Sequence, residues 1–294
     1  MSAPALAARR AAASDYFELV KPRITLMVML TTMVGFVMGS TGHVRTAGVL
    51  AVLLGTGLVA AGASALNMLM ERRTDALMLR TRNRPLPAAR LRPADALAWG
   101  FLLTGAGVLV LGWLSGTLAA GVALVTWLSY LLFYTPLKTR TSLSTVVGAL
   151  PGALPPVIGW AAARGSLDPG AFVLFAILFL WQIPHFLAIA WIYREDYARG
   201  GLPMLPVLDP EGKVTGRQAV ANSLALLLVS LTPRAAGMAG TVYLVGAILL
   251  GLGFTAVAVR LAVLRTLPAA RRLFLASIVY LVSLCALLIA DRLG

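Results

Sequence analysis

Nine runs of apolar residues constrain this 294-residue chain more than any other feature, lying near 24–40, 47–69, 96–114, 117–134, 145–163, 170–192, 218–233, 240–259 and 272–290. A helix rising 1.5 Å per residue needs about twenty such residues to cross a hydrocarbon layer of roughly 30 Å. The seventh run is the shortest, and Pro151, Pro155 and Pro156 interrupt the fifth. The composition agrees: 59% hydrophobic residues, 12% charged and a mean hydropathy of +0.86 exceed what a soluble core requires. The expected fold is therefore all-α, a polytopic membrane bundle of about nine helices.

The cations orient that bundle. Of 25 lysines and arginines, only Arg45, Arg164, Arg234 and Arg292 fall in one set of alternating connections. The positive-inside rule then predicts a cytoplasmic N-terminus and an external C-terminus. The formal charge of +14 reflects topology and an anionic substrate, and nucleic acid is not expected as a partner. Cys285 is the single cysteine, so no intrachain disulfide can form and no thiolate metal site is available. The first 14 residues are rich in Ala and Arg, like a short transit peptide, but no apolar core and cleavage site follow. Residues 1–23 are expected as a cytoplasmic N-terminal segment and 24–294 as one membrane domain.

The external connections are short, whereas two internal ones carry chemistry: 71–95, with "RTRNRPLPAARLRP", and 193–217, with "YREDYARGGLPMLPVLDPEGK". They follow the second and sixth runs, each with acids at a helix exit and a Leu-Pro turn beyond. Four spans apart, they suggest two parallel four-helix halves, about 24–134 and 145–259, plus a ninth helix at 272–290. Small residues four apart at Gly35/Gly39, Gly112/Gly116 and Gly148/Gly152 read as helix packing.

Asn67, Glu71 and Asp75 stand at i, i+4 and i+8, a drift of about 40° per step, so they share one helix face. Asn67 sits inside the apolar run "GASALNMLM", where a merely solvated stripe has no reason to begin. Hard oxygen donors without His or Cys suit Mg²⁺ held jointly with phosphate oxygens. Arg72, Arg73, Arg80, Arg82 and Arg84 follow where such a phosphate would leave charge unmet, although some of them serve as topology anchors. The second loop offers Glu195 and Asp196, with Ile192 four residues before Asp196, so its acidic pair is incomplete. Trp181, Gln182 and His185 lie in "FLWQIPHFLAIAW", with Gln182 and His185 three apart on a shared face. Two readings stay open for His185: a hydrogen bond to a neighbouring helix, or the lining of an acceptor pocket. His43, in an external loop, reads as solvated.

"KPRIT" (21–25), "NMLMERRTD" (67–75), "RTRNRPL" (80–86), "YTPLKTRT" (134–141), "WQIPHF" (181–186) and "EDYARGGLPMLPV" (195–207) together resemble the protohaem IX farnesyltransferase family of the UbiA-type intramembrane prenyltransferases. The resemblance runs from about residue 18 to the C-terminus. "WQIPHF", followed eleven residues after its His by "DY" and then "MLP", narrows it to the haem branch. It implies a bundle around a central cavity, farnesyl diphosphate with Mg²⁺ as donor, haem b as acceptor and haem O as product. It also implies a multi-pass place in a bacterial inner membrane, with the next enzyme of haem A synthesis as a partner. Residue by residue, Asn67, Glu71 and Asp75 match the first metal-diphosphate motif and Asp196 the second. Arg80, Arg84 and Lys138 match its basic positions, with Arg72 beside them, and Trp181, Gln182 and His185 become the acceptor pocket. One departure is that relatives carry an Asn near the start of the fifth span, where this chain offers Ser142 and Ser144. A prenyltransferase for an aromatic quinone precursor would use the same acids, and "WQIPHF…DY" discriminates against it. A transporter would spread its polar residues along a midplane path, whereas here they cluster at one face.

Overall fold

The computed structural model describes residues 12–293; Arg9, Arg10 and most of the Ala/Arg-rich leader lie outside that range. Among the described residues there is one isolated bridge, Ala239 to Arg292, and no strand. Nine helices of the described residues are long and apolar enough to cross a membrane, so this is a multi-pass membrane protein: Pro22–Gly39, Thr46–Leu77, Pro93–Leu114, Thr117–Leu137, Ser144–Arg164, Pro169–Ile192, Lys213–Ala235, Thr241–Leu264 and Leu267–Ala290. They are numbered here as spans one to nine.

The helices outrun the apolar runs that announce them. Span two continues to Leu77, span seven begins at Lys213 and span nine at Leu267. Hydropathy marks the end of hydrocarbon, whereas a helix ends only where its hydrogen bonds lose partners. The loop expected from 71 thus opens as helix, and that from 193 holds the short helices Arg194–Arg199 and Leu205–Leu208. Proline shapes spans four and five. Pro155 and Pro156 lack the N–H a continuing helix needs, and span five breaks at Leu154. In span four the turns before Pro136 widen to a π-helix, Ser129–Tyr134, in which the Thr135 hydroxyl donates to the Tyr130 carbonyl at 2.9 Å.

Each span packs on the next in sequence, and span nine returns to span one. Spans one and five meet backbone to backbone: a Cβ on Gly35 would stand 1.9 Å from the Pro156 carbonyl oxygen, and one on Gly159 1.9 Å from that of Thr32. Gly112 and Gly116 meet no such neighbour, so that pair is not a packing motif. Large apolar side chains such as Leu26, Leu109 and Trp113 cover the outside, as a lipid-facing surface requires. The short helix Ala13–Leu19 packs against the bundle. Leu19 and Tyr16 pack on Ala65, Met68, Leu86, Leu91 and Ala96, and Arg90 pairs with both Asp15 and Glu18. It thereby ties the segment before span one to the loop after span two.

Candidate active site

Span two carries Asn67, Glu71 and Asp75 on one unbroken helix, and a cation from another part of the chain serves each. Lys21 Nζ donates to Asn67 Oδ1 at 2.6 Å, Lys138 Nζ to Glu71 Oε1 at 2.7 Å and Arg84 to Asp75 Oδ2 at 2.7 Å. Asn67 Nδ2 donates to the Thr135 hydroxyl at 3.0 Å, which fixes the orientation of its amide. Asn67 and Asp75 are buried and Glu71 nearly so, so each pairing stands largely out of water, where Coulomb attraction is strong. The result is a ladder of three oxygens facing three cations.

Position explains the cations. Lys21 precedes Pro22 in left-handed conformation (φ 48°), which turns its side chain across to span two. Burial pushes its ammonium down to about 8 against the help of Glu71. For Lys138, burial also acts downward, but Glu71 beside it holds the ammonium well above the usual lysine range. Lys138 follows the π-turn, whose Tyr130 and Tyr134 stack at 5.5 Å, and its Nζ lies 5.3 Å from the Tyr134 ring.

The other expected residues divide. Arg80 sits over the rings of Tyr193 (4.5 Å) and Tyr197 (5.6 Å) from the second loop. Arg72 is not brought to the ladder: one residue past Glu71 it points about 100° around the helix, and it donates to the Leu69 carbonyl at 2.8 Å. Asp196 reaches back to the first loop, accepting from the backbone N–H of Leu79 (3.0 Å) and Arg80 (3.2 Å) and from Arg199 (2.6 Å). Burial would raise its carboxyl, but those two N–H donors hold it below the usual aspartate value. Glu195 remains exposed. Among the described residues no three His, Cys, Asp or Glu side chains converge on one point, so a metal here would share its shell with substrate oxygens.

Gln182 and His185 part company, contrary to the shared face expected of them. Residues three apart differ by about 60°, and that suffices to reach different neighbours. Gln182 donates to the carbonyls of Leu178 and Ala149, toward span five. His185 turns to span nine: Nδ1 lies 2.7 Å from the Ser277 hydroxyl, and its ring stacks on Trp181 at 4.9 Å and meets Phe274 at 5.2 Å. Trp181 donates to the Ser277 carbonyl at 2.7 Å. Lys21 and Thr135 carry no role that the sequence motifs assign. The signal for Lys21 was a lysine fixed before a proline at the edge of a span; Thr135 gave none.

The UbiA prenyltransferase family model matches residues 28–284. This chain belongs to that family. It is 49% identical to the protoheme IX farnesyltransferase of Solibacter usitatus, over 95% of this chain and 99% of the relative. The corresponding protein of Koribacter versatilis is 40% identical over 95% and 93%. Among solved structures, a digeranylgeranylglyceryl phosphate synthase superposes with a TM-score of 0.79 at 16% identity, over 95% of this chain and 97% of that one. A UbiA homologue from Archaeoglobus fulgidus, bound to GPP and Mg²⁺, gives 0.68 at 16% identity, over 93% and 99%. The prenyltransferase thus shares its fold with proteins whose sequences have diverged almost completely.

Proposed function

We propose that this chain transfers the farnesyl group of farnesyl diphosphate to a vinyl group of haem b, giving haem O and diphosphate. The observation that carries the reading is the ladder of Asn67, Glu71 and Asp75 against Lys21, Lys138 and Arg84, in a chain so close to protoheme IX farnesyltransferases. The donor chemistry suits Mg²⁺: three hard oxygens on one helix face, with no His or Cys among them. Asn67, Glu71 and Asp75 would hold the ion together with diphosphate oxygens, and Asp196 is the second-loop candidate. Bound Mg²⁺ supplies neutralisation of the leaving diphosphate.

The remaining work falls to the chain's own residues. Lys21, Lys138 and Arg84 turn from the ladder oxygens to the diphosphate, with Arg80 approaching from the loop and Arg72 left outside as a topology anchor. Preorganised charge of this kind favours rupture of the bond from the farnesyl carbon to oxygen. The apolar bundle keeps water from the allylic cation. The haem vinyl then adds to that carbon, water captures the resulting cation and a proton is released, which completes the hydroxyethylfarnesyl side chain. Trp181 and His185 are the acceptor-side candidates, with Gln182 across the helix. Positioning and electrostatics suffice, without a covalent enzyme intermediate.

The cation distribution supports an inner-membrane protein with its N-terminus inside, so the ladder faces the cytoplasm. The parallel placing of two loops, each following the second span of a set of four, supports the tandem halves. Haem O leaving this site would pass to the next enzyme of haem A synthesis. The test is incubation of the purified protein with haem b, farnesyl diphosphate and Mg²⁺, then mass analysis of the extracted haem. Gain of one farnesyl group and one hydroxyl is expected, and Asp75→Asn should abolish most of it in a protein that still folds. Unchanged haem alongside prenylation of an aromatic quinone precursor would overturn the assignment.

A further inference from the structure

A cavity of ≈ 560 Å³ opens at the loop-rich face between the foot of span six and the turn joining spans eight and nine. None of the ladder residues lines it, although Asp196, the second-loop candidate, stands on its wall. Its cationic wall is Arg194, Arg199 and Arg265, and its apolar wall includes Trp191 and Leu267. Arg199 is committed to Asp196, whose own oxygens are already taken by the Leu79 and Arg80 amides. Arg194 rests on the Trp191 ring at 4.9 Å, and Arg265 donates only to the carbonyls of Ala262 (3.1 Å) and Glu211 (3.5 Å). Neither meets a carboxylate among the described residues. Against them stands Glu195 as the uncommitted acid of the lining, so the pocket holds a net positive charge.

Arg265 occupies that wall at a conformational cost. It caps span eight in left-handed backbone (φ 51°, ψ 35°), a place where glycine is the usual occupant and a side chain is strained. Strain of this kind is kept where the side chain has a use. The floor of the pocket suggests the use. Ile192 and Leu267 border it, and seven residues deeper on each helix, roughly 10 Å, His185 meets Phe274. The seam between spans six and nine therefore runs from an aromatic contact in the membrane up to a pair of arginines at its rim.

We propose that this pocket binds the two propionate carboxylates of the acceptor haem on Arg194 and Arg265, with the macrocycle lying down the seam toward His185. The inference rests on haem b being the acceptor. The phosphate of an anionic lipid has the same chemistry, an anion on an apolar body, and the test separates the two.

Full-length protein in phosphatidylcholine nanodiscs is titrated with haem b and with its dimethyl ester, which lacks both charges, by the change in Soret absorbance. The parent should bind the free acid roughly tenfold more tightly. Arg194→Gln combined with Arg265→Gly should bring the two forms within about twofold, with ester and farnesyl diphosphate affinities unchanged. Because glycine suits the left-handed position, this variant should melt no lower than the parent. Equal binding of acid and ester by the parent would overturn the proposal, as would parallel loss of both in the variant. An unchanged preference for the acid in the variant, with less phosphatidylglycerol retained through purification, would assign the arginines to lipid instead. A parent that binds neither form withdraws haem as acceptor, a result distinct from equal binding of both.

Discussion

Replacing Asp196 by Ala should loosen the loop after span two, whether or not Mg²⁺ is present. In the folded chain this carboxylate accepts from the amides of Leu79 at 3.0 Å and Arg80 at 3.2 Å. A hydrogen bond to a charged group contributes about 1.5–3 kcal/mol. At the lower end the two together hold the segment closed by about 3 kcal/mol. The Arg199 pair adds little, since that side chain is half-exposed and its charge is screened by solvent. At 1.4 kcal/mol per tenfold, the opening that exposes these amides should become roughly a hundredfold more frequent. Deuterium uptake by the segment 78–84 in metal-free protein measures it directly, with span three as the internal reference. Uptake matching the parent would show that Asp196 does not clasp the loop. A carboxylate acting only as a metal ligand would change uptake solely with Mg²⁺ and diphosphate added.

Gly35→Val should destabilise the bundle by more than the ~1–3 kcal/mol of ordinary overpacking, because its Cβ meets the Pro156 backbone at 1.9 Å. Gly105→Val, with open space around it, is the control, and equal melting temperatures for the two would contradict the span one to span five contact. Lys21, held down to about 8 from 10.5, binds a proton less readily folded than unfolded, so its share of stability declines as pH falls from about 10.5 to 8 and is flat below. Diphosphate favours the charged form, so affinity for inorganic diphosphate should weaken as pH rises through 8. Lys21→Arg should lose that component, and identical pH profiles for the two proteins would exclude it. Single cysteines at Ser166 and Arg92 should label from opposite sides of the membrane; labelling of both from one side is incompatible with the cation-derived topology.

The ladder's oxygens were legible because all three lie on one helix, where spacing alone decides which way a side chain points. Its cations were not, since Lys21 stands 46 residues before Asn67 and Lys138 stands 67 after Glu71, and nothing local encodes which helices become neighbours. Gln182 and His185 show the limit of the same periodicity: a 60° difference separates span five from span nine once both are packed against span six. Asp196 was visible as an acid at a helix exit, yet its partners are main-chain amides, which every residue has and no sequence pattern marks. The nine spans could be read because lipid demands long apolar runs, while their ends shifted by up to eight residues where charged turns remained helical.

Span two has 32 residues and is thus about 48 Å long, against roughly 30 Å of hydrocarbon. Its final turns stand clear of the acyl chains, and Glu71 and Asp75 ride at the boundary. A thicker bilayer draws these carboxylates and their lysine and arginine partners toward lower dielectric, where the pairs tighten and yield less readily to an arriving diphosphate; a thinner one leaves them wetter and looser. Acyl-chain length, which a cell adjusts to temperature, therefore acts on the electrostatics of this site without altering one of its residues.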